Sequence, residues 1–128
     1  MDSNDVINAS ELGDRVLHVL APAKLTLEHL TIMGGSSPPG NYHVYPLVGE
    51  DGGAVYNEGE LTLKDCVIAE NSSGSGGIPM GNTGQDSAGA GGAIYSTGNL
   101  AMVNCLVVRN ACGTGSGGGD GGGIYNKG

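Results

Sequence analysis

The stretch GGAIYSTGNLAMVNCLVVRN, residues 91–110, decides the fold because the chain has already written it once, as GGAVYNEGELTLKDCVIAEN at residues 52–71. Of the 20 aligned positions 8 are identical, and several others exchange one aliphatic residue for another. The opening returns at residues 121–128 as GGGIYNKG, and an earlier partial copy runs LTLEHLTI at residues 25–32. A unit this short cannot bury its own apolar face, so copies must stack on one another as a solenoid.

Working outward from the repeat, Leu61 and Leu63 alternate with polar neighbours, as do Leu25 and Leu27. Period-two alternation marks a strand with one buried face. Each full copy reads as three short strands, around Val55 and Tyr56, around Leu61 to Leu63, and around Cys66 to Ala69. The corners between them are Asn57-Glu58-Gly59 and Lys64-Asp65, which recur as Ser96-Thr97-Gly98 and Val103-Asn104; Gly, Asn and Asp suit such turns. The expected fold is an all-β, single-stranded parallel β-helix of about three coils. Inward columns follow by alignment: Val19, Val55, Ile94 and Ile124; Leu25, Leu61 and Leu100; Leu27, Leu63 and Met102; Leu30, Cys66 and Cys105; Ile32, Ile68 and Val107. Asn71 and Asn110 share a position suited to an amide ladder, with Gly35 in their place in the first copy. Residues 1–14 read as a lead-in or cap and 15–128 as the β-helix domain, which breaks off at Lys127-Gly128 where another Leu-Thr-Leu strand is expected. Between copies lie insertions rich in Gly, Ser, Pro or Asn, at 36–51, 72–90 and 111–120, all leaving at one corner. They should pile up along one edge, where solenoids carry binding surfaces.

Composition narrows the function classes. The 128 residues include 26 Gly, no Phe and no Trp, so the core must be thin and aliphatic. Thirteen acidic against five basic residues (net charge -8) would repel a phosphate backbone, which argues against a nucleic-acid partner. No apolar run approaches the roughly 18 residues of a membrane span, and MDSNDVINAS lacks the features of a secretory signal. Cys66, Cys105 and Cys112 lack metal-site spacing and read as reduced thiols.

No motif carries a named chemistry, and no catalytic, metal or cofactor residue is assigned. Catalytic carboxylate pairs must be held a few ångströms apart, whereas the outward positions of the second and third strands read Thr26, Thr62, Ala101 and Thr31, Val67, Leu106. Asp65 and Glu28 are explained by a solvated corner. His18, His29 and His43 are scattered. Gly118-Gly119-Asp120-Gly121-Gly122 is a single partial copy of a calcium nonapeptide, whose ligands come from consecutive copies. The ligand-binding candidates are aromatic: Tyr56, Tyr95 and Tyr125 fall in one outward column, and Tyr42, His43 and Tyr45 form a dense patch in the first insertion. Met33, Val67, Leu106 and Val108 make the third strand apolar on its outward side as well, the signature of a strand that needs outside cover. They are the candidates for a self-association interface, beside the coil ends.

The run at 91–110, its relatives at Gly52 and Gly121, and Arg15-Val-Leu-His-Val followed by LTLEHLTI together resemble the repeats of bacterial right-handed parallel β-helix proteins. That group includes polymorphic outer-membrane protein repeats and other secreted or surface-anchored passenger domains. The resemblance covers residues 15–128 and implies a right-handed coil and a secreted or cell-surface location. The expected function is a non-catalytic structural or adhesive display module that self-associates. The alternative is a protein that binds or degrades polysaccharide, with a glycan as partner.

Overall fold

The computed structural model of the protein describes residues 5–40, 48–76, 87–115 and 118–128. It is all-β, with no helix among the described residues. Eleven strands occur in chain order: β1 (Asp5–Asn8), β2 (Leu17–Val19), β3 (Lys24–Glu28), β4 (Leu30–Met33), β5 (Val55–Asn57), β6 (Glu60–Lys64), β7 (Val67–Ala69), β8 (Ile94–Ser96), β9 (Asn99–Val103), β10 (Leu106–Val108) and β11 (Ile124–Asn126). They form three parallel sheets, ordered β1-β4-β7-β10, β11-β8-β5-β2 and β3-β6-β9. Every strand pairs with the one three places along the chain, an arrangement compatible with a parallel β-solenoid.

The vertical columns follow from the alternation. Leu25, Leu61 and Leu100 are register partners, as are Leu27, Leu63 and Met102, and Ile32, Ile68 and Val107. Ile32, Val55, Leu61, Leu63, Cys66, Ile68 and Ile94 are buried in one cluster, and each such aliphatic side chain contributes about 1.5–3 kcal/mol. Cys66 lies in this core, and all three cysteines are free thiols.

One expected column is corrected. Leu17, not Val19, pairs with Val55, and Val19 lies beside Asn57. The corner from β2 to β3 spans residues 20–23 where its counterpart from β5 to β6 spans only 58–59, so an alignment carried backwards without a gap slips by two. A two-residue slip preserves the buried face, and Val19 remains in the core.

Two columns of left-handed residues set the remaining corners. His29, Asp65 and Asn104 adopt φ of 56°, 52° and 52° between the second and third strands, residue types that tolerate this conformation. After the third strand the column is Gly34, Glu70 and Arg109, at 74°, 57° and 54°. Glu and Arg pay roughly 1–2 kcal/mol for that geometry. Their own exposed ion pair (2.9 Å) returns less than about 1 kcal/mol of this, and an asparagine ladder follows at the next position. In that ladder Asn71 Nδ2 donates to the Ala69 carbonyl and to Asn110 Oδ1, both at 2.9 Å, while Asn71 Oδ1 accepts from the Gly35 amide at 2.9 Å.

The insertions do not leave this framework loosely. Their outgoing arms stack through bridges Ser36↔Ser72↔Ala111 and bonds such as Gly40 N to Ser75 O and Gly76 N to Thr114 O, both 2.8 Å. Returning arms interleave with them: Glu50 N donates to Pro38 O (3.0 Å), Gly74 N to Glu50 O (2.9 Å) and Gly89 N to Gly74 O (2.9 Å). The Ser37 hydroxyl donates to Glu50 O and accepts from Gly74 N, and the Ser73 hydroxyl repeats this with Gly89 O and Gly113 N. Cys112 takes the third place, its thiol 3.4 Å from Asp120 O. Backbones here are so close that a Cβ on Gly74 would fall 2.6 Å from Glu50 N and nearer still to Pro38 O.

Candidate functional site

The site grows from the middle residue of β5, β8 and β11. Because Val55 and Asn57 face inward on β5, Tyr56 faces outward, and the same holds for Tyr95 and Tyr125 in register above it. Their rings stack, with centroids 5.0 Å apart between Tyr56 and Tyr95 and 5.4 Å between Tyr95 and Tyr125. His18 continues the column edge-on at 4.9 Å from Tyr56. Stacking contributes about 0.5–1.5 kcal/mol per pair beyond the area buried. Stacked between two rings, Tyr95 is only 7% exposed.

Cations flank the stack. Arg15 lies 5.4 Å over the Tyr56 ring and pairs with Glu50. Lys127 Nζ is 5.8 Å from the Tyr95 centroid and 5.6 Å from that of Tyr125. Those rings are themselves 5.4 Å apart, so a point nearly equidistant from both lies beside the pair rather than over a face. A hydrogen bond to Tyr95, reinforced by the charges of Tyr95 and Tyr125, raises the Lys127 pKa above its usual 10.5. Burial, then the neighbouring Tyr95, Glu58 and Asp51, raises that of Tyr56 above 10.0 against the opposing pull of Arg15.

Between the stack and the returning arms lies an open cleft of about 360 Å³. Tyr95, Tyr125, Lys127, Asp51, Ser87 and Asp120 bring polar groups to its lining, and Val48, Ala88 and Ala90 bring apolar ones. Asp51 Oδ1 accepts a 2.6 Å bond from the Ala90 amide, which fixes its carboxylate at the rim. The volume falls at the lower end of the roughly 300–1,000 Å³ of ligand pockets.

The cleft brings together Tyr95 and Tyr125, while Tyr56 supports them from beneath. Tyr42, His43 and Tyr45 lie outside the described residues. The interface candidates are on another wall: Val67 and Leu106 are register partners, as are Met33, Ala69 and Val108, all on the outer side of the sheet that carries β4, β7 and β10. Leu106 is 55% exposed and Val6, in the same column, 58%. Among the described residues no group of three or more His, Cys, Asp or Glu could hold a metal ion, and no helix is long and apolar enough to cross a membrane.

Sequence reasoning missed Asp51, Ser87, Asp120 and Lys127. A signal existed for the two carboxylates: Asp51, Ala90 and Asp120 each stand directly before a Gly-Gly pair and so occupy one column of the repeat. Compared with known protein families, with curated proteins and with solved structures, the chain finds no match in any of the three.

Proposed function

We propose that the protein is a right-handed parallel β-helix of about three coils that serves as a non-catalytic display module of a bacterial surface or secreted protein. The observation that carries this reading is the stacking of the insertion arms. They extend the layered hydrogen bonding by several residues beyond β4, β7 and β10, so the arms that carry the insertions are held at fixed spacing on one edge. Sites on a rigid scaffold engage partners without an ordering cost.

The test replaces residues 78–85 with an unrelated Gly/Ser segment and measures two things. Thermal stability should stay within a few degrees of the parent, while binding to immobilised glycan and matrix surfaces should fall. Unfolding of the variant, or release of reducing ends from any polysaccharide by the parent protein, would count against a display role.

A second reading, polysaccharide recognition with turnover, is favoured by one observation: Asp51 and Asp120 both border the cleft. Two carboxylates flanking a sugar are the usual equipment for glycoside hydrolysis. The same reducing-end assay separates the two readings.

A further inference from the structure

We infer that the cleft between the tyrosine stack and the returning arms binds one or two rings of a neutral, hydroxyl-rich saccharide; this rests on the reading of the insertion edge as a binding face. The ligand class follows from what the lining requires. Carboxylates at Asp51 and Asp120 are acceptors, Lys127 is a donor, and the hydroxyls of Ser87, Tyr95 and Tyr125 are both. A ligand that desolvates these groups must both give and take hydrogen bonds, because unpaired buried polar groups are costly. Apolar molecules cannot do so.

Charge removes two further classes. All five basic residues are among the described ones. Arg15, Lys24, Lys64 and Arg109 pair with Glu50, Glu60, Glu28 and Glu70, and Lys127 is held beside Tyr95 and Tyr125. An anionic ligand such as a uronate would meet two carboxylates and a single cation within a chain of net charge -8, and like charges disfavour the pairing. A cationic ligand would compete with Lys127, already seated at the cleft. A saccharide satisfies both sets of partners: its hydroxyls donate to Asp51 and Asp120 and accept from Lys127, while its C–H face rests on Val48, Ala88 and Ala90.

The test is amide chemical-shift mapping on the intact chain, with neutral gluco-, manno- and galacto-oligosaccharides and an oligogalacturonate as probes. At least one neutral probe should shift the amides of Ala88, Ala90, Gly119 and Tyr125 in a saturable way, and the uronate should not. The double variant D51N/D120N keeps the Asp51 Oδ1 acceptor that Ala90 uses. It should bind the neutral probe at least tenfold more weakly and should gain measurable affinity for the uronate. Equal binding of uronate and neutral probes by the parent would overturn the inference, as would no neutral probe shifting these amides. Binding that leaves the cleft amides silent but is lost on replacing residues 78–85 would overturn the cleft assignment alone and leave the display role standing.

Discussion

The strand walls and the insertion arms are both stacked layer on layer, yet they cohere by opposite means. In the walls, large side chains fill the interior: Leu61 and Leu63 sit 1% and 0% exposed over register partners of the same kind. In the arms, cohesion depends on having almost no side chain. Gly74 and Gly89 let backbones approach so closely that any Cβ would strike a carbonyl oxygen, and Ser37 and Ser73 serve the hydrogen bonds of that contact. The 26 glycines are thus partly a packing material and not merely a source of loop freedom.

The sharpest break of this comparison is Leu63→Ala. It should lower stability by about 2–5 kcal/mol, read by chemical denaturation, with every layer lost in one transition. Gly74→Ala attacks the other region. It should cost about 1–3 kcal/mol through overpacking, and hydrogen exchange should show protection lost at Gly76, Gly89 and Gly113 while Leu61 and Leu100 keep theirs. Simultaneous loss everywhere would mean that arms and walls are one cooperative unit. Ser73→Ala should follow at about 1 kcal/mol, again with the Gly113 amide exchanging first.

The smallest effects are electrostatic. Glu60→Gln removes the 3.0 Å pair with Lys24, whose side chain is 74% exposed, and should change stability by less than about 1 kcal/mol. Tyr56 and Lys127 both have folded-state pKa values raised above their ordinary ones, 10.0 and 10.5. The folded chain therefore holds these protons more tightly than the unfolded chain. Their contribution is complete below about pH 10 and is lost as pH rises through the folded values. Thermal melts across pH 8–11 check the direction.

The walls were the legible part, because period-two alternation and a recurring Leu-x-Leu define them without reference to anything distant. Legibility ended where the chemistry was unmarked. The corner at residues 20–23 hides its extra length, so Val19 took the place of Leu17. Glu70 and Arg109 are not turn residues, and their left-handed geometry is supported by an ion pair that no local pattern announces. The arms looked like loops by composition. Yet Gly35-Ser36-Ser37, Asn71-Ser72-Ser73 and Asn110-Ala111-Cys112 align once their register is known, and the ladder at Ser37, Ser73 and Cys112 lies within them. At the candidate site the tyrosine column could be read from alternation. Asp51 and Asp120 share a column before the Gly-Gly pairs, but alternation within the strands does not tell that this column lines one cleft with the tyrosines.

The aromatic column also makes the molecule its own gauge. The chain has no tryptophan and only five tyrosines, three of which lie face to face at 5.0 and 5.4 Å. Its near-ultraviolet optical activity should therefore be dominated by excitonic coupling along one line. A one-residue shift of any layer would swing its ring into the interior and silence that coupling, so registration between layers can be followed during refolding without an added label.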